Sequence, residues 1–153
     1  MHKFNTNKVK RIIDILMTVL LFFLMAYQVT GDILHEWIGI AMTIMVILHN
    51  YVNKGWYINI AKGTYSKSRL LIVLIDVLLL LSFFMSAFTG MAMSGHAVPF
   101  MFGVIPIFIA RQLHLTMSYW AFVLMGVHIG IHMESVLTKV YVFKNNIIVV
   151  HII

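Results

Sequence analysis

The sequence predicts an all-α membrane protein, a bundle of four transmembrane helices with both termini in the cytoplasm. Of its 153 residues, 61% are hydrophobic and only 10% are charged, whereas a soluble domain is about half apolar and a quarter charged. The apolar residues fall into runs of about 20, the length that crosses a bilayer as a helix. The basic residues cluster at the ends of these runs, as in membrane proteins that obey the positive-inside rule.

The first two spans are predicted to form an antiparallel hairpin. The first, residues 12–29, follows a basic head of four Lys and Arg residues within 3–11. A basic head before an apolar run also fits a signal peptide, but the run is long and no small-residue cleavage site follows it. A tight turn at Gly31 and an N-cap at Asp32 are predicted to begin the second span, residues 33–52.

The second half of the chain is predicted to add two spans. After a polar loop at 53–68, the third span covers 70–93 and the fourth covers 113–133. The intervening segment, 97–110, is apolar but short, and both prolines of the chain interrupt it. It is therefore expected at the membrane interface or as a re-entrant segment. The tail, 139–153, ends in an apolar stretch too short to span and stays unassigned.

The distribution of basic residues predicts the orientation of the bundle. With four spans, ten of the eleven Lys and Arg residues fall on one side, and Arg111 is the exception. The positive-inside rule makes that side the cytoplasm. The net charge of +6 does not indicate a nucleic-acid partner, because no basic stripe is interleaved with base-stacking aromatic residues. Membrane lipid is the expected surrounding of the chain.

The absence of cysteine excludes several cofactors and crosslinks. Structural disulfides, thiolate-bound zinc, iron–sulfur clusters and covalently attached c-type haem all require cysteine. Any haem in this protein must therefore be held without a covalent bond to the chain.

Four histidines occupy matched positions on two spans. His35 and His49 lie on the second span, and His114 and His128 lie on the fourth, in both cases fourteen residues apart. Fourteen residues make nearly four helical turns, about 21 Å, so the two histidines of each span share a face. The two spans run in the same direction. His35 is therefore expected level with His114 near the outer side, and these two are called the first pair.

The second pair, His49 and His128, is expected near the cytoplasmic side. Two facing imidazoles can bind a haem iron from both axial positions, and an iron with both positions filled favours electron transfer over gas binding. The sequence therefore predicts two b-type haems between the spans. These histidines are the predicted iron ligands, and no residue is predicted to be catalytic. Nothing in the spacing fixes the direction of electron transfer.

A further histidine leaves the second pair with an alternative. His132 lies one turn beyond His128. It is eighteen residues, five full turns, after His114. The two residues therefore have the same angular position around the helix, which favours His132 as the ligand. Depth in the membrane instead favours His128, because His128 is expected at the same depth as His49. His128 is therefore the preferred ligand.

Other residues are predicted to contact the haems. Gly39, Gly126 and Gly130 lie near the histidines, where glycine lets a porphyrin approach the backbone. Small residues are also ordinary packing devices between membrane helices. Arg111, one turn before His114, is predicted to pair with a haem propionate, and its alternative role is an interface anchor.

Several motifs together resemble the flavinylation-associated cytochrome family, bacterial cytochrome b-like membrane proteins with two haems. They are His35-Glu36-Trp37-Ile38-Gly39, Leu48-His49-Asn50, Gly55-Trp56-Tyr57, Ser94-Gly95-His96, Arg111-Gln112-Leu113-His114 and Val127-His128-Ile129-Gly130-Ile131-His132. The resemblance covers 12–133, so residues 1–138 are expected to form one di-haem domain, apart from the tail at 139–153.

The resemblance implies transmembrane electron transfer in the bacterial cytoplasmic (inner) membrane. Electrons would pass from the quinol pool to flavin-bearing partners outside the cytoplasm, and substrate chemistry would belong to a partner. A quinol site needs a proton acceptor near a haem, for which Asp76, His96 and His132 are candidates. The main alternative is a transporter or channel that uses the histidines for a transition metal or a proton path. A scaffold subunit without a cofactor is a third class.

Overall fold

The chain is helical throughout the regions that its structure describes. The computed structural model describes the backbone of residues 6–60 and 62–150 and the side chains of residues 7–60 and 62–132. In these regions there is no strand, and the helices are α1 (Thr6–Met25), α2 (Tyr27–Val52), α3 (Gly55–Ile60), α4 (Lys67–Met93) and α5 (Ile107–Val150). The predicted all-α class is therefore confirmed.

Three helices of the described chain are long and apolar enough to cross a membrane. They are α2, α4 and the part of α5 up to His132. Large apolar side chains point outwards on them, such as Leu81, 62% exposed, and Phe108, 71% exposed. Outward-facing apolar surface on this scale is typical of a protein surrounded by lipid. Helix α1 carries four charged residues in its first half, so the first predicted span, residues 12–29, and the location of the termini stay predictions.

Helices α1 and α2 form the predicted hairpin, called the first hairpin. The chain reverses at Gly31, whose φ of 66° and ψ of 179° are not helical. Beyond the turn, buried side chains from both helices form one apolar cluster. Ile13 and Met17 of α1 pack there with Met42 and Val46 of α2. Turn and cluster together fix which face of α2 lies against α1.

Helices α4 and α5 form the second hairpin and are closely packed. The buried residues of α4 are mostly small or polar, and they are Leu79, Ser82, Ser86, Thr89 and Ala92. Small residues let two membrane helices approach closely. Ser66 is the N-cap of α4, and its hydroxyl accepts a hydrogen bond from Arg69 N at 3.2 Å.

The ends of α5 differ from those of the predicted fourth span. A 3₁₀ turn, Pro99–Met101, lies in the segment predicted to be interfacial, and α5 begins immediately after Pro106. A proline is well tolerated at the start of a helix because the first N–H groups have no helical partner. The helix continues to Val150, through most of the tail at 139–153, whose last three residues lie outside the described residues.

The two hairpins meet through few backbone contacts. Helix α2 touches α4 over a short length, and α2 and α5 are not a closely packed pair in the described chain. The space between α2 and α5 is therefore bridged by side chains. It is the region where the sequence predicts the histidine pairs.

Candidate functional site

The first pair comes together across the two hairpins. The ring centroids of His35 on α2 and His114 on α5 lie 6.1 Å apart, with an angle of 80° between the ring planes. Metal–nitrogen bonds of about 2 Å would place two imidazoles on opposite sides of one metal about 6 Å apart, centroid to centroid. The observed separation fits two axial ligands of one iron.

His114 is held in one orientation by α4. Its Nδ1 lies 2.9 Å from the backbone oxygen of Ser86, and Ser86 Oγ lies 3.4 Å from the same nitrogen. A backbone oxygen can only accept, so Nδ1 donates and Nε2 carries the lone pair. The ring also lies against Gly90, where a Cβ would stand 3.1 Å from His114 Cε1. A metal-binding histidine commonly has its second nitrogen fixed in this way.

His35 has a different environment. Its Nδ1 is buried without a hydrogen-bond partner, and no other buried side-chain nitrogen or oxygen in the described chain shares that property. The ring of Tyr27 packs edge-on against it at 5.2 Å between centroids. A buried polar atom without a partner is uncommon in proteins, and a group bound at that atom would account for it.

Arg111 stands at the same end of the bundle. Its side chain is exposed, and it lies one turn before His114 on α5. This position is compatible with the predicted pairing to a propionate, and that role stays a prediction.

The histidines of the second pair are each bound to a carboxylate. Nδ1 of His49 lies 2.8 Å from Oδ1 of Asp14 on α1, and Nδ1 of His128 lies 2.8 Å from Oδ1 of Asp76 on α4. When the carboxylate is ionised it can only accept, so Nδ1 donates and Nε2 is left to bind a metal. The sequence indicates Asp76 as a candidate because it lies inside a span, but no pattern singles out Asp14.

The rings of the second pair do not meet as those of the first pair do. In the described chain, no ring contact joins His49 to His128. The ring of His128 instead lies edge-on to that of His132, with 4.6 Å between centroids. The choice between His128 and His132 as the partner of His49 therefore stays open.

Three groups at this level have ligand atoms close together. One atom each from Asp76, His128 and His132 lies within 4.8 Å of the others. A carboxylate and two imidazoles form a donor set that divalent transition metals accept. This arrangement is the feature that keeps the metal-transport alternative in consideration.

The three predicted glycines differ in their surroundings. A Cβ at Gly39 would meet Leu24 at 4.0 Å, whereas one at Gly126 or Gly130 would meet no described atom within 4 Å. Backbone approach is therefore sterically open beside the last two. Gly90, which no sequence motif singles out, is the glycine that directly contacts a predicted ligand.

A carboxylate beside the first pair binds the loop after α4. Glu36 accepts hydrogen bonds from the backbone N–H groups of His96 and Ala97, both at 2.9 Å, and of Gly95 at 3.2 Å. The hydroxyl of Ser94 donates to the same carboxylate at 2.8 Å, and the His96 ring lies 3.3 Å from it. We call this arrangement the Glu36 clamp. No sequence pattern predicts it, because the contact joins residues about 60 positions apart.

A cavity in the described part of the chain lies away from the histidines. It measures about 440 Å³ and opens beside Trp56 and Arg69 at the polar loop. The guanidinium of Arg69 is bound to backbone oxygens, including those of Asn59 at 2.6 Å and Lys62 at 2.7 Å. Arg69 therefore serves to hold the loop.

Comparisons with protein-family models, with curated proteins and with solved structures give no match. The resemblance to the flavinylation-associated cytochromes therefore rests on the motifs alone and stays a prediction.

Proposed function

We propose that this protein carries electrons across a membrane through two b-type haems, each held between histidines of α2 and α5. The first pair would hold one haem. His49 with His128, or with His132, would hold the other. The observation that carries the proposal is the separation of 6.1 Å between the rings of His35 and His114. It occurs between two helices whose backbones are not closely packed.

Haem iron supplies one-electron chemistry, cycling between its ferric and ferrous states. The side chains of this chain would bind and orient the group. Ser86 and Asp76 fix the tautomers of His114 and His128, so each presents Nε2. An iron held by two histidines would favour electron transfer over gas binding.

The surrounding topology and partners belong to the same proposal. Four spans with both termini in the cytoplasm would place the second pair on the cytoplasmic side and the first pair on the outer side. The resemblance supports quinol as the donor and a flavin-bearing protein outside the cytoplasm as the acceptor. The membrane would be the cytoplasmic membrane of a bacterium.

Visible spectroscopy of the purified protein tests the proposal. We expect the bands of reduced low-spin haem b and about two haems per chain. Replacement of His114 by Ala should remove one haem, because it removes a ligand of the first pair. The matched control is His96→Ala, which replaces an exposed loop histidine outside both pairs and should keep both haems. A protein that incorporates no haem when haem is supplied during expression would contradict the proposal.

A second candidate function is favoured by the group of Asp76, His128 and His132. A divalent transition metal held there would fit a metal transporter or channel. Titration of purified, haem-free protein with Co²⁺ would test it, since cobalt bound by nitrogen and oxygen ligands has a visible spectrum. We expect His132→Ala to abolish such binding and His35→Ala to leave it intact. Stoichiometric cobalt binding without any haem uptake would favour this candidate over the cytochrome.

A further inference from the structure

We infer that Asp14 and Asp76 make the second pair the site of lower reduction potential, so that electrons run from the second pair to the first. This inference rests on the proposed function and adds the residues that set the order of reduction potentials of its two sites. The observation behind it is an asymmetry between the two levels. Both second-pair histidines are hydrogen-bonded to carboxylates, and neither first-pair histidine is.

A carboxylate at Nδ1 changes what the histidine gives to a metal at Nε2. It draws the Nδ1 proton towards itself, so the imidazole becomes a more basic ligand. Its negative charge also stabilises the more positive, oxidised state of the iron. Both effects lower the reduction potential, which hydrogen bonding to an axial ligand and nearby charge are known to control.

The two carboxylates are not equivalent. The side chain of Asp76 is only 10% exposed, whereas that of Asp14 is 53% exposed. A shielded charge is screened less than an exposed one. Asp76 should therefore have the larger effect. Its effect persists if His132 is the ligand, because the carboxylate lies within 4.8 Å of that ring as well.

In the described part of the chain, no carboxylate is bonded to either ring of the first pair. His114 donates to the neutral backbone oxygen of Ser86, and Nδ1 of His35 has no partner. Two carboxylates do lie nearby, at Asp32 and Glu36. The former accepts from the Tyr27 hydroxyl, and the latter is surrounded by the N–H groups of the Glu36 clamp. Neither is bonded to a ring of the first pair.

The transfer step balances with one electron and no proton. The second site is oxidised from ferrous to ferric as the first site is reduced from ferric to ferrous. The reductant that renews the second site is the quinol of the proposed function, and the oxidant that empties the first site is the external flavin. Under the proposed topology, this direction is outward.

A redox titration followed in the visible spectrum tests the inference in the two-haem protein. Wild-type protein should show two one-electron transitions. Asp76→Asn, which keeps a hydrogen-bond acceptor and removes the charge, should raise the lower transition by about 59 mV or more, a tenfold change in the ratio of oxidised to reduced iron. Asp14→Asn should raise it less. The Asp76→Glu variant, which keeps the negative charge, should keep the potential of the lower transition low.

The matched control is Asp32→Asn, which removes a carboxylate at the other end and should leave the lower transition in place. If the Asp76→Asn variant does not take up haem, variants that retain one haem site decide which site has the lower potential. His35→Ala should retain the site of lower potential, and His49→Ala should retain the site of higher potential. The reverse order, or a lower transition unmoved by both Asp→Asn changes, would overturn the inference while leaving the two haems in place. Only a protein without haem would contradict the proposed function itself.

Discussion

Each predicted ligand with a fixed ring nitrogen is oriented by the neighbouring helix of its own hairpin. Asp14 on α1 bonds to His49 on α2, and α4 supplies Ser86 and Asp76 to the two histidines of α5. These hydrogen bonds therefore orient the rings without any contact from the other hairpin. A histidine with a defined tautomer is better prepared to bind a metal than one that is free to rotate.

Gly90 is the residue whose replacement tests this orientation most directly. A Cβ at this position would stand 3.1 Å from Cε1 and 3.2 Å from Nδ1 of His114, so Gly90→Ala should displace the ring. We expect loss or spectral change of one haem, with the other retained. The control is Gly95→Ala, where a Cβ would meet no described atom within 4 Å. Identical haem spectra in wild type and Gly90→Ala would contradict the prediction.

The histidines could be singled out from the sequence, but the groups behind them could not. Spacing of fourteen residues predicts that His35 faces the same way as His49, since that follows from helix geometry alone. The roles of Asp14, Ser86 and Gly90 depend on which faces of two helices touch. That contact is decided by packing between residues far apart in the sequence, which a single helical pattern does not encode.

At the scale of elements, the long helices are more predictable than the connections between them. The predicted ends at residues 52 and 93 agree with α2 and α4, because a polar loop and a change of composition mark them. The six residues of α3 show no apolar period, so the sequence predicts a loop there. The predicted start of α5 is six residues late, because Pro106 can either break a helix or precede one.

The turn of the first hairpin depends on Gly31. Its φ of 66° and ψ of 179° belong to a region that is essentially restricted to glycine, and other residues there cost about 1–3 kcal/mol. Gly31→Ala should therefore lower the thermal unfolding midpoint of the detergent-solubilised protein. Gly55→Ala is the control, because Gly55 begins α3 and has no positive φ. Equal midpoints for Gly31→Ala and wild type would show that the turn tolerates a side chain.

At the scale of the whole molecule, the two ends of the bundle differ in charge and in the loops that they carry. The polar loop that contains Lys62 lies at the end of the second pair, whereas the loop from Ser94 to Pro106 lies at the end of the first pair. Composition was sufficient to predict a membrane protein, because 61% apolar residues cannot be accommodated inside a chain of this size. Orientation requires a test in the membrane.

The absence of cysteine makes that test direct. A single cysteine at Lys62 should be protected from a membrane-impermeant maleimide added to intact cells, whereas one at Phe102, which is 58% exposed, should be labelled. The positive-inside rule is the reason for this expectation. Both positions should react once detergent opens the membrane. Labelling of Lys62→Cys but not Phe102→Cys in intact cells would reverse the proposed orientation.

The arrangement in two hairpins also dictates an order of events at the ribosome. The first hairpin carries His35 and His49, and the second carries His114 and His128. One histidine of each pair is therefore synthesised before its counterpart. Cofactor loading of the proposed kind must follow insertion of the later hairpin. The Glu36 clamp, which joins a residue of α2 to the segment just past α4, requires no residue of α5 and can therefore form at an earlier stage than the histidine pairs.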